Sequence, residues 1–355
     1  RSDEETAAVL HELGRTEARI AAAEAPEHLA AARAATSDMQ ARARITLDLG
    51  SALFSAGLAR EAVEVLHGAI EELAGRQPEL GTQLDNLLIG IARFEPDLYP
   101  LAVERLERLR AVAAQLGPGD EVALANLASD SARAGTARAE AVDFAERALT
   151  DGMLMREHFD PAFFYAVQAL ECADRLDAAF RHCSEGMEAA RKRGLVTQFC
   201  FASCSRSLVA FRRGSLEDAV ADAELCLGVI DSHHLEVARP HAIGFLVHAL
   251  IERGEVARAR ELLQSLGAPA NEQASTTFTL RGARSRMRLA EGDHAGALDD
   301  LLALGALAEQ LEVRARDDLV DIPVWATKVT PGARARVFDR SEELDAGGFH
   351  TFTNA

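Results

Sequence analysis

The side chains whose types and spacing would allow chemistry beyond packing are a few cysteines, histidines and arginines. Cys200 and Cys204 stand one helical turn apart, and His241 offers a nitrogen from a later segment, so a soft metal is one use for them. Small apolar cysteines in a helix interface explain the same spacing. The five cysteines (Cys172, Cys183, Cys200, Cys204, Cys226) are odd in number and contain no C-x-x-C pair, which suggests neither a disulfide framework nor a zinc knuckle. His233 and His234 are adjacent, whereas helical metal ligands need spacings of three or four, so they read as a solvated loop. No metal is expected.

Arg281, Arg284 and Arg288 share one helical stripe with Arg286 beside it, a row able to fork onto a phosphate or carboxylate. A solvated face paired with the abundant acids is the plainer reading of the same row. His241 and His248 lie two turns apart on one stripe, pointing into a groove or packed in the core. No H-E-x-x-H, G-x-S-x-G or Rossmann-type glycine pattern occurs, and neither Lys192 nor Lys328 has the surroundings of a P-loop. Neither catalysis nor a cofactor is expected.

Seven of the fifteen phenylalanines (Phe159, Phe163, Phe164, Phe180, Phe199, Phe201, Phe211) fall between 159 and 211, joined by Tyr165. Core packing uses most of them, and that density is also where an apolar ligand wall would form.

The elements that must position these groups are helices. Apolar residues recur at three- and four-residue spacing nearly throughout the 355 residues, and Ala, Leu, Arg and Glu fill most sites. Breaks recur too. Gly57, Gly214, Gly254 and Gly292 each follow an apolar helix end and precede a small residue five positions on (Ala62, Ala219, Ala259, Ala297), while Gly135 and Asp174 take the same place before Ala141 and Ala179. The turns at 135, 174, 214, 254 and 292 are separated by 39, 40, 40 and 38 residues, and the gap from 57 to 135 is bisected near Pro96, ahead of Ala102. Such a period predicts helix hairpins in which Gly ends the first helix and Ala lets the second approach. One hairpin cannot bury its apolar face alone, so neighbours stack. The expected fold is all-α, a right-handed α-solenoid of about eight tetratricopeptide-like helix pairs over residues 1–326. An irregular unit is expected over 11–35, and a degenerate unit and tail over 327–355.

Counting back from each turn places Phe164, Gln168, Phe201, Arg212, His241, His248 and Arg286 nearest the concave side. With 38 Lys+Arg against 56 Asp+Glu, the net charge of −18 opposes binding to nucleic acid or an anionic membrane. No apolar run is long enough to span a bilayer, and the first residues lack a signal-peptide layout, which points to a cytoplasmic protein.

Several segments, taken in order, resemble the repeat region of the large ATP-binding LuxR-type transcriptional regulators, the class of the maltose-regulon activator. They are His11–Ala18, Leu49–Leu66, Ala249–Gly254 continuing to Leu262-Leu263, Leu289–Asp293 with Ala297–Leu302, Gly305, Leu311–Val313, and Pro323-Val324-Trp325. The resemblance covers about residues 7–326. It implies a signal-sensing region that receives a small-molecule effector or a regulatory protein or peptide in its concave groove. In the family an ATPase module precedes this region and a helix-turn-helix module follows it, and neither is found in this sequence. The expectation is therefore an excised sensor region or a free-standing relative, with a scaffold that grips a peptide or partner protein as the alternative. Oligomerisation is compatible with either.

Overall fold

The protein is described by a computed structural model over residues 3–310, apart from 94, 136, 153, 156–158 and 267–273. The degenerate unit expected over 327–355, and Pro323-Val324-Trp325, lie outside the described residues. Helices follow one another in pairs: α1 (Asp3–Arg19) with α2 (Ala25–Ala35), α3 (Met39–Ser55) with α4 (Ala59–Leu73), and α5 (Pro78–Ala92) with α6 (Tyr99–Ala111). They continue as α7 (Glu121–Ala134) with α8 (Arg138–Leu149), α9 (Ala162–Cys172) with α10 (Leu176–Arg193), and α11 (Val196–Arg212) with α12 (Leu216–His233). The last two pairs are α13 (Arg239–Glu252) with α14 (Val256–Ser265), and α15 (Ala274–Glu291) with α16 (His294–Gln310). The first helix of one pair also packs on the first helix of the next, most extensively α7 on α9 and α13 on α15. The result is an all-α solenoid.

The turns explain the pairing. Gly57, Gly135, Asp174, Gly214, Gly254 and Gly292 all have positive φ, between 56° and 83°. At Gly254 the glycine N–H donates to Ile251 O and the next N–H, of Glu255, reaches back to Leu250 O at 2.8 Å, capping the carbonyls that the helix end leaves open. Asp174 and Arg175 make the same two bonds to Glu171 and Leu170. After each turn the small residue is sealed in the hairpin interface: Ala62, Ala102, Ala141, Ala179, Ala219, Ala259 and Ala297 are all 0% exposed.

Two units depart from the pattern. Proline cannot take the left-handed conformation, so around Pro96 the chain uses a longer link from Ala92 to Tyr99. The unit expected to be irregular forms an ordinary helix pair, α1 and α2, with Ala21 (φ 58°) at its turn.

The core is a string of clusters rather than a single centre. One runs from Ala43 to Ala102, the next from Leu124 to Val209, and a third from Ala210 to Met287. The array curls far enough for its early units to meet later ones. Arg19 Nη2 donates to Arg193 O at 2.9 Å. Ala21 packs on the cluster of Cys200, Cys226 and Leu235, and Val237 comes up against the Gly57 turn. Among the described residues no helix is long and apolar enough to cross a membrane.

Candidate functional site

The inner face is built from the first helices of the pairs. Thirteen residues before the turn, a side chain points inward in unit after unit: Pro161 before Asp174, Phe201 before Gly214, His241 before Gly254 and Thr279 before Gly292 all line one slot. The same position in two earlier units, Gln83 before Pro96 and Val122 before Gly135, lines a second compartment. One to three helix turns along, Tyr165, Gln168 and Glu171 of α9, Ser205 and Leu208 of α11, and Phe245 of α13 complete the slot. Phe54 of α3, Ile91 of α5 and Glu95 close it from the other side.

Aromatic rings form the walls. Phe159 lies between Phe54 and Phe201, with ring centroids 6.1 and 4.8 Å away. Phe164 meets the edge of Phe201 at 6.3 Å, and offset or edge-on packing of this kind is the favoured arrangement for ring quadrupoles. Ser51 Oγ of α3 holds the backbone carbonyl of Phe159 at 2.5 Å, which ties the stretch 159–161 across the inner face. Free space along the slot is about 870 Å³ counting its open mouth, drawn out between side chains of α3, α5, α9, α11, α13 and α15. The slot is therefore narrow, suited to slender or flat apolar groups.

Its polar groups are few and mostly engaged. His241 Nδ1 and Thr279 Oγ1 share a hydrogen bond of 3.0 Å, and Ser205 Oγ donates to Phe201 O of its own helix. That first bond depends on Gly244, where a Cβ would run into the Thr279 methyl and approach its carbonyl to 3.3 Å. Arg212 Nη1 donates to Glu171 O at 2.7 Å and stands 3.7 Å from the Glu171 carboxylate, so that buried charge is balanced within the wall. Glu95 is half-buried; burial pushes its pKa above the ordinary carboxylate value, Arg60 opposes this and Asp97 adds to it. Behind the wall, Tyr165 donates to Gly90 O at 2.5 Å and its ring lies 4.9 Å from the guanidinium of Arg93. Arg93 is 0% exposed; Nη2 donates to Asn126 O, whereas Nε and Nη1 have no partner, and burial lowers its pKa. The cation is held mainly by the faces and dipoles around it.

Phe164, Gln168, Phe201 and His241 thus come together along the slot. Arg212 stands behind Glu171 rather than in the slot. His248 and Arg286 gather instead on Phe211, at 5.7 and 5.4 Å from its ring centroid, with Arg286 3.3 Å from Glu252. Burial, and then the charge of Arg286, holds the His248 pKa well below its ordinary value, so this imidazole is a neutral packing group.

In the expected anion-holding row, Arg284 and Arg288 are internally neutralised. Arg284 closes on both oxygens of the buried Asp300, and Arg288 Nη1 reaches Asp300 Oδ2 at 2.8 Å and Gly296 O at 2.7 Å. Arg281 is half-buried beside them. The cysteines are thiols: Cys200 and Cys226 have sulfurs 3.4 Å apart in the α11/α12 interface, and their mutual contact and burial drive the Cys200 pKa up. No group of three His, Cys, Asp or Glu among the described residues is arranged to hold a metal. His233 ends α12 and His234 caps it at φ 55°.

Sequence reasoning missed Phe54, Glu95, Phe245 and Thr279, and pointed to Phe159 and Tyr165 only as members of the aromatic-dense stretch where an apolar wall would form. The recurrence of a lining residue thirteen before each turn is the signal that would have found Thr279. Phe54 and Phe159 carry no such mark, because they reach the slot through the curl of the array and through a connecting stretch.

These features define a tetratricopeptide-like helical repeat array. Its likeness to a solved structure agrees: the crystal structure of a Rap protein complexed with Competence and Sporulation Factor superimposes with a TM-score of 0.60 at 14% identity, covering 97% of this chain and 99% of that chain. No family model and no curated protein matches the sequence.

Proposed function

We propose that this protein is a non-enzymatic binding scaffold whose inner groove takes an extended peptide or a segment of a partner protein. One observation carries the reading: side chains from equivalent repeat positions in four successive units converge on a single narrow aromatic slot. An extended chain offers side chains at regular intervals to such a wall, and apolar anchors in desolvated pockets dominate binding of this kind. The structural neighbour's complex with Competence and Sporulation Factor supports the same use of the fold. The non-enzymatic half of the reading follows the sequence, which carries no H-E-x-x-H, G-x-S-x-G, Rossmann or P-loop pattern.

The resemblance to LuxR-type regulators gives the groove a place in a sensor: an occupant that prefers one curvature of the array would shift the balance between two shapes. A cytoplasmic setting belongs to that reading. Hydrogen exchange on the complex with a captured partner tests the proposal. Protection is expected on α9, α11 and α13, and Phe201→Ala is expected to abolish capture with the helical content unchanged. Protection confined to the outer helices α10, α12 and α14 would overturn it.

A further inference from the structure

The inner groove has a second compartment on the other side of the stretch that divides it. Phe159 and Pro161 line the aromatic slot, whereas Asp160, between them, lines a pocket of mixed polarity formed by the N-terminal halves of α5 and α7. Its walls are Glu79, Thr82, Gln83 and Asn86 from α5 and Asp120 at the start of α7, with the apolar Leu47, Val122 and Ala123 between them. Among the described residues no Lys or Arg lines either compartment. Asp120 Oδ2 accepts the Gly117 N–H at 2.9 Å and Asp160 Oδ1 accepts the Ala162 N–H at 2.8 Å, so backbone donors orient both carboxylates. At the slot, Glu95 faces the aromatic rings while the nearby Arg60 is engaged 3.2 Å from Asp97. The groove is aromatic at one end and concave with three carboxylates, Glu79, Asp120 and Asp160, set among polar and apolar side chains at the other, in a chain of net charge −18.

We propose that the occupant of this groove is an apolar peptide carrying a basic side chain, its hydrophobic residues seated in the aromatic slot and its Lys or Arg in the acidic compartment beyond Phe159–Pro161. The inference rests on the groove being a peptide site and adds the chemistry of what it accepts. Carboxylates in a concavity concentrate field and favour a cation, and a guanidinium or ammonium there gains charge-assisted bonds that a neutral side chain cannot make. A cation near the Phe54 and Phe159 rings gains further from their faces. An acidic peptide would meet like charge at both ends of the groove, which turns the same carboxylates into a filter against wrong occupants.

The test is to select random hexapeptides on the full chain, and then to measure the best binder by fluorescence anisotropy at two salt concentrations. Selected peptides are expected to combine Leu, Ile, Phe or Met with at least one Lys or Arg. The near-isosteric double variant Glu79→Gln/Asp120→Asn is expected to weaken the best binder about tenfold and to flatten its salt dependence, with an unchanged melting temperature. Phe201→Ala is expected to abolish binding of every selected peptide. Peptides that need Phe201 yet carry no basic residue, or that ignore the double variant, would overturn the charge assignment while leaving the groove as a peptide site. Displacement by spermidine at the peptide's own concentration would reassign the cation to a free polyamine and overturn the peptide half. Selected peptides indifferent to Phe201→Ala would overturn both readings.

Discussion

His248 shows how a residue placed in the groove by repeat counting takes another role. It occupies the same repeat position as Leu208, six before its turn, but the ring of Phe211 and the neighbouring Arg286 cover it, leaving Nδ1 buried without a partner. Its folded-state pKa lies below the ordinary 6.5, so the unfolded chain binds the proton more readily. Stability from this site is therefore complete well above pH 6.5 and is lost progressively as pH falls below it, because the unfolded imidazole takes up a proton that the buried one does not. Urea melts at pH 7.5 and 5.5 should show that loss in the native chain and a smaller one in His248→Phe; equal losses would mean that the buried imidazole is not what titrates. The sequence showed the stripe joining His241 to His248, but whether a stripe faces a groove or a neighbour depends on how the adjacent first helix crosses it. Gly244 settles that at His241, since only a residue without a side chain lets Thr279 come within hydrogen-bonding distance. Gly244→Ala should lower stability by about 1–3 kcal/mol through overpacking and break that bond.

At the level of the hairpin the sequence was most legible, because turn chemistry and interface size act locally. Gly at the left-handed turn and Ala five residues later are both demanded by contacts within one hairpin, and both recur. Two substitutions on α14 separate this demand from helix propensity. Ala259→Leu, in the sealed interface, should cost about 2–3 kcal/mol, whereas Ala257→Leu, exposed two residues earlier, should fall within about 0.5 kcal/mol of the native chain. Equal effects in chemical denaturation would remove close approach as the reason for the repeated alanine. Asp174 supplies the converse. It holds φ 56° where four sister turns at the same spacing use glycine, so Asp174→Gly should raise stability by about 0.5–1 kcal/mol, relief of left-handed strain exceeding the entropy of the added glycine. The Pro96 unit and the 159–161 stretch were harder to read for the same physical reason: their conformations answer to partners such as Ser51, 108 residues from Phe159.

The curl of the whole molecule is the sum of small rotations at every unit, and no single residue announces it. Its consequence is a closed circuit in which the first turn lies on the sixth pair, and this circuit completes the slot by bringing Phe54 to Phe159. Ala21 is the place to open it. Its φ of 58° is one that aspartate tolerates, so Ala21→Asp should preserve the α1/α2 turn while setting a carboxylate against the apolar cluster of Cys200, Cys226 and Leu235. An uncompensated charge there costs more than the contact contributes, and the first units should separate from the sixth rather than bury it. Small-angle scattering should then report a larger radius of gyration with the helical circular dichroism unchanged. Affinity for a groove peptide should fall as well, since Phe54 and Ile91 move with the early units. A variant with native dimensions and native affinity would show that stacking alone sets the curvature, and that the contact between early and late units follows from the slot without shaping it.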